Sequence, residues 1–152
     1  LKYNLLLADD DEDDCLFFFF SLDSMPLNVT LSMVNDGVEL MKFLSTHLSN
    51  LPEILFLDLN MPRKNGFECL LEIKSKPELQ NLPIIIFSTS LDTTIVDSVF
   101  EKGAIYYIRK PCDFAQLKKV IYDALLITEK NNFKCVLSQS HCRSCLFTSG
   151  WM

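Results

Sequence analysis

The chain has 152 residues, 49% of them hydrophobic, and a formal net charge of −6, which reads as one domain with a substantial core. The acidic balance excludes nonspecific binding to nucleic acid and docking on an anionic membrane surface. No apolar run approaches the ~20 residues of a membrane span and no basic segment precedes a long apolar one, so neither a membrane anchor nor a signal peptide is expected. A cytoplasmic protein with reduced cysteines is the resulting expectation; Cys15, Cys69 and Cys112 are read as small buried hydrophobes.

Apolar runs alternate with helical patterns along the chain. The first strand is predicted over Asn4 to Ala8, and a helix from Glu12 to Leu22 follows, its acidic first turn suiting the positive end of the helix dipole. Phe17 to Phe20 fall on that helix. Successive helical residues turn by ~100°, so four rings in a row cannot all face a core, and at least one must be exposed or covered by the tail or a partner. A second strand spans Val29 to Val34, and Asp36 caps a helix from Gly37 to about His47. The third strand, Ile54 to Leu57, is apolar on both faces and ends at Asp58, with Pro62 and Gly66 marking the turn beyond it. A helix from Asn65 or Gly66 to Ile73 is stopped by Pro77. The fourth strand is Ile84 to Phe87, followed by Ser88-Thr89-Ser90 and a helix from Asp92 or Thr93 to Lys102. The fifth strand is Ile105 to Ile108, and Asp113 caps a last helix reaching about Glu129.

Five strand–helix units predict an α/β fold, a doubly wound parallel sheet with helices on both faces. Right-handed crossovers bring every strand's carboxyl end to one edge, which then collects Asp9, Asp10, Asp58, Ser88 and Lys110. The domain is expected over residues 1–130, with 131–152 an appended tail.

Those residue types suit one chemistry. Asp9, Asp10 and Asp58 offer oxygen ligands to a hard divalent cation such as Mg²⁺, which also relieves the mutual repulsion of clustered carboxylates. Lys110 supplies a fixed positive charge for phosphate oxygens, and the Ser88 hydroxyl a hydrogen bond. A carboxylate held between such charges can attack phosphorus and form an aspartyl phosphate. The structural alternatives are ordinary: Asp58 as a loop acid, Asp9 and Asp10 as first-turn acids, Ser88 as a strand-end residue, Lys110 as a solvated lysine. Asp11, Asp13 and Asp14 are read as first-turn acids only.

The segments Leu7-Ala8-Asp9-Asp10, Leu57-Asp58-Leu59-Asn60-Met61-Pro62, Ile86-Phe87-Ser88-Thr89-Ser90 and Gly103-Ala104 through Lys110-Pro111 together resemble the receiver domain of two-component response regulators. The likeness is to the single-domain chemotaxis type, and Ile73 to Pro77 with Leu82-Pro83 resembles the subgroup that includes phytochrome-associated regulators. The resemblance implies a flavodoxin-like sheet of order 2-1-3-4-5 and a protein that is not an enzyme acting on an external substrate. It implies Asp58 as phosphoacceptor, and Mg²⁺ on Asp9, Asp10, Asp58 and the Asn60 main-chain carbonyl. Ser88 becomes the switch hydroxyl, with Thr89 its adjacent alternative, Tyr107 the switch aromatic that can swing inward, and Lys110-Pro111 a cis peptide. A static core role for Tyr107 is the alternative. The implied phosphodonor is a sensor histidine kinase or histidine phosphotransfer protein, and the output a changed surface on the fourth helix, fifth strand and fifth helix that engages a downstream protein target. Ile95, Val96, Val99 and Tyr106 are read as exposed apolar residues of that surface and admit a homodimer; direct binding of nucleic acid is not expected.

Two other functions are weighed: a partner-binding module of this fold that needs no phosphorylation, against which the intact Asp9, Asp10, Asp58, Ser88 and Lys110 count, and a metal-dependent phosphatase acting on a separate substrate, whose chemistry can also use an aspartyl phosphate. In the tail, Cys135, His141, Cys142 and Cys145 have a metal-like spacing, weighed against a flexible or packed segment.

Overall fold

The computed structural model describes residues 2–90 and 92–131. Five strands and five helices alternate: β1 Lys2–Ala8, α1 Glu12–Asp23, β2 Asn28–Val34, α2 Gly37–Thr46, β3 Ile54–Leu57, α3 Gly66–Ser75, β4 Ile84–Ser88, α4 Thr93–Glu101, β5 Tyr106–Arg109 and α5 Phe114–Asn131. The strands are parallel, in the order β2-β1-β3-β4-β5. Both the class and the strand order are those expected. The tail cysteines and His141 lie outside the described residues. Among the described residues no helix is long and apolar enough to cross a membrane.

Side-chain alternation along the strands builds two cores. Leu6, Leu55, Leu57, Ile84, Ile86 and Tyr107 face one side, where α2, α3 and α4 add Leu40, Leu44, Leu70, Ile73, Val99 and Phe100. Leu5, Leu7, Phe56, Ile85, Tyr106 and Ile108 face the other, covered by Phe18 of α1 and by Leu117, Ile121 and Leu125 of α5. Because β3 and β4 are buried on both faces, their sequences carry no polar alternation.

The helices begin where a side chain accepts a hydrogen bond from the first turn. Asp11 accepts from Asp13 and Asp14, Asp36 from Glu39, and Asp92 from Thr94. At α3, Asn65 and Glu68 exchange side-chain and backbone bonds in a full capping box. Asp113 accepts from the Ala115 N–H at 2.8 Å at the start of α5.

The four rings of α1 divide as the helical turn requires. Phe18 is fully buried and meets Phe56 and Phe87 edge-on, with centroids at 5.0 and 5.6 Å. Phe17 leans on Phe114 of α5, centroids 5.3 Å apart. Phe19 and Phe20 face outward.

Three expectations are corrected. Val96, Val99 and Tyr106 are buried, and Ile95 is half-buried. The apolar stripe of α4 is the inner face of an amphipathic helix, and Tyr106 points toward α1 and α5. They give no apolar surface for a homodimer. Cys112 is exposed, because it follows Pro111 in the loop between β5 and α5, whereas Cys15 and Cys69 are buried as expected. No cis peptide occurs among the described residues, so Lys110-Pro111 is trans, the isomer X–Pro bonds favour where nothing imposes the other.

Phe18 bridges α1 to the two central strands without a rotatable polar group to relax into the space it fills. Phe18→Ala is therefore expected to cost about 3–5 kcal/mol, measured as a lower urea midpoint at unchanged slope.

Candidate functional site

The carboxyl ends of β1, β3 and β5 meet at one acidic edge. Asp9 follows β1 directly. Its N–H donates to the Val34 carbonyl of β2 at 3.1 Å, and its Oδ1 accepts from the Asp11 N–H at 3.0 Å. The side chain is fully enclosed. Its Oδ2 has no hydrogen bond of good geometry and meets the Lys110 ammonium as an ion pair at 2.8 Å. Asp10, the next residue, is exposed.

Asp58 follows β3 and is buried. Its N–H donates to the Ala8 carbonyl at 2.9 Å, which ties it to the end of β1. The Asn60 N–H reaches back toward Asp58 Oδ1 at 3.5 Å, and Lys110 Nζ lies 3.5 Å from Oδ2. The loop beyond is held against it. The Gly66 N–H donates to Leu59 at 2.9 Å, and a Cβ on Gly66 would stand 2.2 Å from the Asp58 carbonyl oxygen. Only glycine permits that approach.

Lys110 enters from the end of β5, where its N–H donates to the Ser88 carbonyl at 2.7 Å. Its ammonium contacts Asp9 and Asp14 at 2.8 Å each and Asp58 at 3.5 Å, and lies over the Phe87 ring, 5.6 Å from its centroid. Burial alone would lower its pKa. Its hydrogen bond to Asp14, its close contact with Asp9 and the charge of Asp58 outweigh that, so Lys110 stays charged above the ordinary lysine range. Asp14 was read from sequence as a first-turn acid, and its pairing with Lys110 was missed. One signal existed: Asp14 lies in the first turn of the helix that leaves this edge.

Ser88 ends β4, is fully buried, and accepts from the Ser90 N–H at 3.4 Å. Thr89 is exposed. The Tyr107 ring is already inward and buried; its hydroxyl donates to the Ser90 carbonyl at 2.7 Å and neighbours the Ser88 hydroxyl. The ring thus occupies the inward position that the sequence reading assigned to a later swing. Asn60 is exposed beside Asp58.

One carboxylate oxygen from each of Asp9, Asp10 and Asp58 lies within 4.8 Å of the others. Three carboxylates, Asp9, Asp14 and Asp58, surround one ammonium, and Asp10 stands beside Asp9 and Asp58. All-oxygen donors, excess negative charge and an enclosed carboxylate oxygen without a hydrogen bond fit a hard divalent metal. The electrostatics agree. Burial pushes Asp58 up to about 6, with Lys110 opposing and Asp9 reinforcing the shift, and burial likewise raises Asp9 against the pull of Lys110.

This fold and edge define a class, and the chain belongs to it: residues 5–122 match the response regulator receiver domain family. Response regulator Rcp1 of Synechocystis sp. is 31% identical over 104 residues, 66% of this chain and 71% of that protein. Protein RcaC of Microchaete diplosiphon is 38% identical over 66 residues, 43% of this chain but 10% of its own length. Among solved structures, the Mn²⁺-bound form of Rcp1 aligns with a TM-score of 0.72 at 29% identity, covering 80% of this chain and 90% of that one. The phosphorylated cyanobacterial phytochrome response regulator RcpA aligns at 0.74 and 28%, covering 82% and 91%. The likeness to phytochrome-associated regulators read from the sequence therefore holds.

Because Asp58 carries a raised pKa in the fold, it binds more protons folded than unfolded. Its contribution to stability is full below its unfolded value near 4 and is lost as pH rises through about 6. Without divalent metal, Asp58→Asn is expected to be more stable than the parent by on the order of 2 kcal/mol at pH 7.5, and the difference is expected to vanish near pH 4. Urea denaturation at both pH values checks this.

Proposed function

We propose that this receiver domain accepts a phosphoryl group on Asp58 from a sensor histidine kinase or histidine phosphotransfer protein, and passes the change to a downstream protein target through α4, β5 and α5. One observation carries the reading: a buried carboxylate at the end of β3 faces a lysine ammonium, with two further aspartates from β1 beside it. The Rcp1 and RcpA likenesses support a kinase of the phytochrome type as donor. Reduced, buried Cys15 and Cys69 suit the cytoplasm.

Asp9, Asp10, Asp58 and the Asn60 carbonyl would hold Mg²⁺, which supplies charge neutralisation for the phosphoryl oxygens and the carboxylate. The chain's own residues do the rest. An Asp58 oxygen forms the new bond to phosphorus in line with the bond that breaks, and the leaving group, imidazole or carboxylate, departs with that electron pair. Lys110 exchanges part of its contact with Asp9 and Asp14 for a phosphoryl oxygen, a charge-assisted bond already in place electrostatically. Enclosure of Asp9 and Asp58 keeps the neighbouring dielectric low, which strengthens that contact.

Ser88 is the switch hydroxyl in this reading, and Thr89, being exposed, is the weaker candidate. If the Ser88 hydroxyl turns toward the phosphoryl group, it leaves the Ser90 N–H and the Tyr107 hydroxyl beside it. Tyr107 and the chain after β4 then repack at the start of α4. With the ring already inward, the signal is a rearranged hydrogen bond at Ser90 rather than a swinging aromatic. The protein turns over no external substrate in this scheme. Neither rival function draws on a specific feature of the site.

Incubation with acetyl phosphate and Mg²⁺ is expected to add the mass of one phosphoryl group. Asp58→Asn is expected to add none, and an equal gain in that variant would reject Asp58 as acceptor. Lys110→Ala is expected to slow the same reaction by roughly 10²-fold, the usual cost of losing one charge-stabilising donor, read as the initial rate of mass gain.

A further inference from the structure

Helix α1 carries apolar side chains both on its core face and on a neighbouring outer face. Cys15, Phe18 and Leu22 turn into the core, while Leu16, Phe19 and Phe20 stand 51%, 41% and 54% exposed on the outside. The outer three are spaced i, i+3, i+4 and so form one stripe. Phe19 and Phe20 already touch edge-to-face, their centroids 5.6 Å apart. Exposed Glu12 and Asp13 lie at one end of the stripe and Asp23 at the other. An exposed apolar stripe of this kind marks an interaction surface.

The chain itself carries a candidate of matching chemistry. Residues 132–152 include Phe133, Val136, Leu137, Leu146, Phe147 and Trp151, with Lys134 and Arg143 as their charges and no aspartate or glutamate. They begin where α5 ends. α5 packs beside α1, and Glu129 near its end accepts from the Tyr3 hydroxyl at 3.1 Å, at the amino end of β1. α1 ends at the same level, because β2 starts at Asn28, the register partner of Lys2. The segment therefore leaves α5 beside the last turn of α1. The 12 residues of α1 span roughly 18 Å, well within reach of the segment even if only part of it is extended.

We propose that residues 132–152 fold back in the same molecule onto the Leu16-Phe19-Phe20 stripe, their apolar side chains covering the rings and Lys134 and Arg143 facing the acids at its ends. This docking is independent of phosphoryl transfer at Asp58.

Hydrogen exchange on the full chain tests it. The expected result is that amides in 133–152 exchange at least about tenfold slower than an unstructured segment. In Phe19→Ser/Phe20→Ser that protection is lost while peptides from β1, β3 and β4 are unchanged. If the double variant loosens those strands, Leu16→Gln replaces it and must release the segment alike. Unprotected amides in the parent chain would overturn the proposal and leave the stripe to another protein. Protection that survives the substitutions would overturn it too, as would protection that disappears on dilution together with a dimer mass, which would place the segment on a second copy.

Discussion

Lys110 is the cation on which the acidic edge depends. Asp9 is fully enclosed and Asp58 nearly so, and buried carboxylates without a partner cost far more than a fold can bear. The ammonium reaches Asp9, Asp14 and Asp58 together. Its attraction is incomplete, and the incompleteness matters: Asp58 is still pushed up to about 6. The site is thereby short of positive charge, which is the condition that favours a divalent cation. A second lysine here would satisfy the carboxylates and remove that reason for a cation to bind.

The rest of the architecture serves to keep those groups at that spacing. The sheet order sets β1 between β2 and β3, so Asp9 and Asp58 emerge from adjacent strands. The absence of a side chain at Gly66 lets the next helix close over the Asp58 backbone. β4 and β5 then bring Ser88 and Lys110 alongside, joined by a main-chain bond of 2.7 Å. Stability and chemistry share the same contacts, and the more stable neutral form of Asp58 is the less useful one.

Much of this was legible in the sequence, for reasons that differ by element. Solid apolar runs such as Ile84 to Phe87 announce buried parallel strands, and an acid directly after one has few places to be except the carboxyl edge. Side-chain direction was harder to read. Val96 and Val99 lie on the apolar stripe that marks the inner face of α4 and were read as outer surface, and Tyr106 and Tyr107 differ only in which side of β5 they leave. Asp14 was hidden in a run of acids whose members look alike until the direction of α1 is known. Lys110-Pro111 could be either isomer, because an X–Pro bond separates the two by about 1 kcal/mol. For the two tyrosines and Asp14, a long-range contact decided what local pattern left open.

The pairing of Lys110 with Asp14 closes a separation of 96 residues, and its consequence belongs to the chain's history. During synthesis from the amino end, Asp9, Asp10, Asp14 and Asp58 all emerge before the lysine that neutralises them. β1, β2 and β3 can pair while β5 does not yet exist, but until Lys110, just past that strand, is in place they carry an edge of like charges. The Lys110 charge reaches that edge just after the final strand, so the step that completes the sheet also makes its acidic end less costly to bury.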